Sequence, residues 1–430
     1  MKLVFGLLLW VGCDAEEPRS SLYCDIRERA CRASIMAQVI ELRGGKAVEL
    51  PETQVLTQAE LDERLKSAEE EGAEQSPDAE LAYRGYALFG LVPPNYQPEQ
   101  GRAQQLREIA GVYFPKDDQI VLVDRGEPLD SNSAITTFAH ELVHALQYRD
   151  HDLDELETRV AGSRDAWLAL RALTEGEATL YEVLMLAKLA GRQPSDIDWG
   201  RFLSEFQYHQ LNTALMDTAP LVMAALRFPY GFGAGYVTRR WLKDGHKGID
   251  RLYEEPPSST HQVLFDESDR DLTAEQDEIS ARAIPELDGK QLRTLNLGAW
   301  QRALFFAREA LVGQPLWYAR DTLADVFSIW HDEEHDLVSA SWRVRFAPDT
   351  QTKNWLGVDD WYVGSLDAEE PREAFLIASE GELPTDLKSI SWRPARASVE
   401  DGTPAPNMRA CAIEQRELIY IDSRESSSTR

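Results

Sequence analysis

Cysteine is scarce in this chain, with 4 in 430 residues. So few, so widely scattered, exclude a disulfide-dense scaffold and a structural zinc finger. Basic residues are also short: 45 Lys and Arg stand against 74 Asp and Glu, a formal net charge of −29. That balance argues against a nucleic-acid partner and for a solvated acidic surface. Beyond the N-terminal stretch no apolar run is long enough to span a bilayer. There is no internal repeat, and neither a Gly-x-Ser-x-Gly elbow nor a cysteine-protease signature offers a nucleophile. Histidine is sparse as well, at 8 residues, so two of them bracketing a glutamate stand out.

They do so in Ile135-Thr-Thr-Phe-Ala-His140-Glu141-Leu-Val-His144-Ala-Leu-Gln-Tyr148. On a helix His140 and His144 share one face and can reach a single zinc ion, while Glu141 lies beside them, placed to take a proton from a metal-activated water. Ile135, Phe138, Ala139, Leu142 and Leu146 form an apolar stripe, with Thr137, His140, Glu141, His144 and Tyr148 on the other side. Ser131 or Ser133 can cap the helix start.

A catalytic zinc needs a third protein ligand. A local route would use Asp150 or His151, but it requires a sharp turn at Gln147, where glycine is absent. A distal route uses Glu175, in an apolar helix from about Asp165 to Ala190 that Gly191 can cap. A buried acid there needs a partner, and Gly176, costly in a helix interior, implies close approach by another backbone. Glu182 shares the face of Glu175 and can support a ligand from behind. Glu177 points elsewhere and reads as a surface or structural acid.

His140-Glu-x-x-His144 followed 31 positions later by Glu175-Gly176-x-Ala178 resembles the gluzincins, zinc metallopeptidases whose third ligand is a Glu on a second helix. Thr174-Glu-Gly-Glu-Ala178 is similar to the Asn-Glu-Gly-Phe-Ala of the large zinc aminopeptidases. It also resembles the Glu-x-Glu-Ala-Asp of membrane-associated zinc endopeptidases, with Thr179 replacing the Asp that usually backs a histidine. A closer likeness, to uncharacterised bacterial zinc-peptidase-like proteins, covers roughly residues 80–270. It includes Gly111-Val-Tyr-Phe-Pro-Lys-Asp-Asp-Gln-Ile-Val-Leu-Val123, Phe228-Pro-Tyr-Gly-Phe-Gly-Ala-Gly235 and Pro256-Pro-Ser-Ser-Thr-His-Gln-Val-Leu264. The resemblance implies an α+β fold with a mainly helical zincin-like domain and a small sheet. It implies Zn²⁺ on His140, His144 and Glu175, Glu141 as general base, and a peptide or protein substrate. It also implies an edge strand that holds extended substrate, for which Gln119–Val123 is the candidate, and a Tyr or His donor to the oxyanion, for which Tyr230, Tyr236 and His209 are candidates. Two other readings use the same residues: an inactive zincin-fold envelope protein acting as a binding module, and a zinc hydrolase of a non-peptide bond.

The remaining expectations concern organisation. Residues 1–12 fit a secretory signal, and Val11-Gly12-Cys13 resembles a bacterial lipobox, with a lipid anchor at Cys13 as the only membrane attachment. Cleavage after Ala15 is the alternative, and both imply export. Cys24 and Cys31 can then form a small disulfide, with Cys411 left over. Residues 13–80 form an acidic segment, with ten acids against two bases (Arg64 and Lys66) in 52–80, expected as an exposed helix or linker. Residues 81–270 form the zincin-like domain, and 271–430 a smaller α+β domain with strands at Thr322–Trp330, Leu337–Phe346 and Trp361–Leu366. Gly231-Phe-Gly-Ala-Gly235 reads as a helix-entry turn. His331 and His335 read as surface histidines at a turn. The tail from Glu425 is expected to be disordered.

Overall fold

Alternation in β3 (Gln119–Asp124) sets the first layer. Ile120 and Leu122 face a large helical core, while Val121 and Val123 pack on Leu61 on the opposite face. In a computed structural model, which describes residues 23–45, 49–72, 79–217, 219–266, 272–281, 287, 289–308, 315–347, 362–364 and 373–380, the fold is mixed α+β and mainly helical. Its first elements are α1 (Arg29–Arg43), β1 (Glu52–Thr57), α2 (Gln58–Gly72), α3 (Ala79–Leu88), α4 (Pro98–Glu108), β2 (Gly111–Phe114) and β3. The central helices are α5 (Asn132–Asp150), α6 (Leu153–Val160), α7 (Arg164–Leu189), α8 (Trp199–Leu215), α9 (Pro220–Asp244), α10 (His246–Glu254), α11 (Thr260–Phe265) and α12 (Leu272–Ala281). Then follow β4 (Lys290–Leu295), α13 (Gly298–Arg308), α14 (Pro315–Asp321), β5 (Thr322–Asp332), β6 (Leu337–Phe346), β7 (Tyr362–Gly364) and β8 (Glu373–Ser379).

The first sheet has the order β1-β3-β2, β1 parallel and β2 antiparallel to β3. The expected strand pair around Lys116-Asp117-Asp118 is therefore present, but β3 lies in the middle. Gln119–Val123 cannot be the edge strand, because both its sides are paired; the edge beside α5 is β2. Local sequence could not show this, since the pairing that covers β3 comes from β1, some sixty residues earlier. Glu52–Thr57 is for the same reason a strand rather than linker, although α2 after it is the expected acidic helix.

The second sheet is antiparallel, ordered β4-β5-β6-β8-β7. Tyr86 of α3 and Phe89, in the turn after it, pack on its Phe327 and Trp342, whereas Trp300 and Ala303 of α13 join the helical core. The two cores thus exchange elements across residue 270. His335 is exposed and bonded to Asp332, and half-buried His331 to Asp336, at the β5–β6 turn. Cys24 and Cys31 are disulfide-bonded. No helix among the described residues is long and apolar enough to cross a membrane. The signal, Cys13, Cys411 and the tail from Glu425 lie outside the described residues.

Candidate metal centre

Ser131, not Ser133, caps α5: its hydroxyl accepts from the Ala134 N–H at 3.2 Å, worth about 1 kcal/mol. Ile135, Phe138, Leu142 and Leu146 are buried to 2% exposure or less, each stabilising the helix against the core by roughly 1.5–3 kcal/mol. That fixes the helix rotation and turns His140, Glu141 and His144 toward α7.

On α7, capped by Ser163, Gly176 has the close neighbour expected of it. A Cβ there would collide with the backbone of Gly233, and one at Gly233 with the backbone of Ala172. α7 and α9 therefore meet backbone to backbone. The glycines of Gly231-Phe-Gly-Ala-Gly235 lie inside α9 and do not make a helix-entry turn; burial against a second helix overrides glycine's weak helix propensity. The same contact carries Tyr230 over His140, ring centroids 6.1 Å apart and planes 25° apart.

Glu175 Oε2 lies 3.1 Å from His140 Nε2 and 3.4 Å from His144 Nε2. One ligand atom from each of the three residues falls within a common 4.8 Å. Donors bonded to a tetrahedral zinc at 2.0–2.2 Å stand about 3.3 Å apart, so the two imidazoles and the carboxylate fit that ion in spacing and in chemistry. Arg171, one turn before Glu175, donates from Nη2 to Oε1 at 2.6 Å, which leaves Oε2 to the histidines. Glu182 Oε2 sits 3.1 Å from His140 Nδ1. A carboxylate two turns along α7 thus stands behind that histidine where Thr179, one turn along, supplies none. The other ring partner is Gln147, whose Oε1 is 2.9 Å from His144 Nδ1.

Burial opposes the protonated form of His140, but its bonds to Glu175 and Glu182 outweigh this and hold its pKa well above the ordinary value. Glu175 also loses hydration, yet Arg171 and both histidines keep its carboxyl well below the usual range. Glu141 is different: desolvation dominates and raises it, despite the neighbouring histidines. Desolvation, with Glu175 adding to it, raises the Tyr230 phenol well above normal.

Other residues are excluded by position. Asp150 pairs with Arg43 at 2.7 Å, and His151 stacks on Tyr253 with centroids 3.8 Å apart. α5 runs straight through Gln147, so the local ligand route is closed. Of the three oxyanion candidates only Tyr230 reaches the site; Tyr236 is core and His209 is exposed on α8. Glu177 is fully buried rather than on the surface, where Arg43, Gln147 and Tyr253 hold it.

Two features escaped the sequence reading. Arg171 is four residues before Glu175, a spacing that puts the pair on one helix face. Gly111, on edge strand β2, passes so close to the motif helix that a Cβ would sit 2.8 Å from Glu141 Cγ and 2.9 Å from Thr137 Cγ2; its only sequence signal was a glycine opening a strand. Comparison with family models, with curated proteins and with solved structures gives no match to this chain.

Proposed function

We propose that this chain is an exported zinc-dependent peptidase of the gluzincin type, with His140, His144 and Glu175 holding the metal and Glu141 as general base. The observation that carries the reading is the convergence of two imidazole nitrogens and one carboxylate oxygen from two helices, with Glu141 buried beside them. Zinc bound there would polarise the scissile carbonyl and acidify the attacking water. Glu141 takes the proton released in that attack and returns it to the leaving amine; its raised proton affinity suits both transfers. The edge of β2, unpaired among the described residues, offers backbone groups for an extended peptide to pair with, and Gly111 lets that edge lie against Glu141. Tyr230, over His140, is the donor assigned to the oxyanion. The Cys24–Cys31 disulfide favours an oxidising compartment, which supports export. Tyr230 over His140 and Glu182 behind it fit the roles of oxyanion donor and supporting carboxylate, which an inactive binding module would not need.

The test compares wild type, Glu175→Ala and Glu141→Gln for metal content and for hydrolysis of an unfolded protein such as casein. Wild type should carry about one zinc per chain and Glu175→Ala little. Glu141→Gln should keep its zinc and lose roughly 10²–10⁴ in rate. Hydrolysis unchanged in Glu141→Gln would sink the mechanism; a folded wild type that takes up no zinc would sink the metal site.

A further inference from the structure

His144 is backed by a chain of buried polar groups that the proposed reaction does not itself require. Gln147, three residues on and fully buried, turns its Nε2 toward the Thr174 carbonyl at 2.8 Å and toward Glu177 Oε2 at 2.9 Å. Both of those groups only accept hydrogen bonds. The nitrogen end of the amide is therefore fixed there, and the oxygen end must face His144 Nδ1, 2.9 Å away. An oxygen at that place demands a hydrogen on Nδ1. The lone pair of the neutral ring then lies on Nε2, the atom that faces Glu175.

Glu177 is in turn held from both sides. Its Oε1 accepts from Arg43 Nε at 2.9 Å and is 2.8 Å from Nη2, while Tyr253 donates its hydroxyl to Oε2 at 2.7 Å. Arg43, the last residue of α1, balances the charge, so His144 is oriented through a neutral amide. His140 is oriented differently, directly by a carboxylate that is 37% exposed.

We propose that Gln147 and Glu177 are positioning residues for His144, fixing its tautomer and ring orientation for metal capture, with Arg43 holding Glu177 in place. The inference rests on the zinc reading above. It assigns four helices, α1, α5, α7 and α10, to the support of one ligand.

The test is zinc affinity, by competition with a chromophoric chelator, and the visible spectrum of the chain loaded with Co²⁺. Wild type is compared with Gln147→Leu and with the double exchange Gln147→Glu, Glu177→Gln. The exchange keeps an acceptor facing His144, a donor between the two positions and the same net charge, and gives up the donor to the Thr174 carbonyl. Gln147→Leu should bind zinc 10–100-fold more weakly and shift the cobalt bands, and the exchange should restore most of that loss. A purely structural role would lower thermal stability and leave the cobalt spectrum alone. A folded Gln147→Leu chain with wild-type affinity and spectrum overturns the proposal. If Gln147→Leu does not fold, the exchange decides: near-wild-type zinc affinity supports the relay, and a folded but weakly binding chain overturns it. Wild type that binds neither metal would bring down the zinc reading and this inference together, whereas binding that is equal in all the variants removes this inference alone.

Discussion

Glu175 and Glu177 stand two residues apart on α7 and are both buried, yet their surroundings differ in kind. Around Glu177 both oxygens are held: the buried guanidinium of Arg43, which also pairs with Asp150, takes one, and a phenol and an amide take the other. Around Glu175 the partners are Arg171, which is 43% exposed, and the imidazoles of His140 and His144. The first is a closed ion pair that ties helices together. The second is an anion facing nitrogen donors at the spacing a cation would impose. A third acid on the helix, Asp165, is held by the N–H and hydroxyl of Thr260. Burial alone therefore does not distinguish a structural carboxylate from a ligand; the completeness and chemistry of its partners does.

The contrast can be broken first at Arg43. Arg43→Met should lower unfolding stability by about 3–5 kcal/mol, since it leaves Glu177 buried and charged without its partner. Glu175→Gln in the metal-free chain should cost less, because its strongest partner, Arg171, is 43% exposed and can be solvated once the carboxylate is gone. Urea unfolding of both variants measures the difference, and equal losses would abolish the distinction between a closed pair and a poised one.

A smaller effect is expected behind His140. Glu182→Gln should weaken zinc binding 10–100-fold, the usual cost of losing a carboxylate that orients a ligand histidine. Unfolding stability of the metal-free protein should hardly change, as the Glu182 side chain is 37% exposed. A chelator titration with unchanged affinity would remove Glu182 from the site.

The smallest effect concerns Asp165. Desolvation raises its carboxyl above the ordinary value, and Thr260 only partly offsets this. A folded-state pKa above the unfolded one gives a contribution that is complete below the unfolded value and is lost as pH rises through the folded value. Relative to Asp165→Asn, wild type should thus gain stability as pH falls toward 3.8, the ordinary aspartate value. Parallel stability curves for the two proteins would show that no such shift exists.

Much of the site was legible in advance because it is written in helical periods. The spacing of His140 and His144 and the apolar stripe of α5 depend only on local geometry, whereas Glu175, on a second helix, was named as a ligand through the resemblance and meets them only by packing of α5 on α7. Gly176 announced a close neighbour because glycine is costly inside a helix, and that neighbour is Gly233. Two readings failed, and one was left open, where a distant segment decided the outcome. β3 proved central because β1 pairs with it, and the Gly231–Gly235 stretch stayed helical because α7 packs on it; Glu177, read as a surface or structural acid, is structural because Arg43 and Tyr253, more than seventy residues away on either side, hold it. Tyr230 could not be chosen over Tyr236 and His209 by pattern, since all three lie in helical sequence.

By itself the sequence determined the candidate ligand residues, their spacing along each helix, and the apolar faces that would bury those helices. Those are consequences of covalent order and of the fixed rise and rotation of a helix. Only the tertiary structure decided which edge strand lies against Glu141, which tyrosine stands over His140 and which carboxylate backs it. It also decided that a buried ion pair stands behind His144. Each of these depends on contacts between segments far apart in the chain, whose mutual approach is set by packing and hydrogen bonding in three dimensions rather than by any local period.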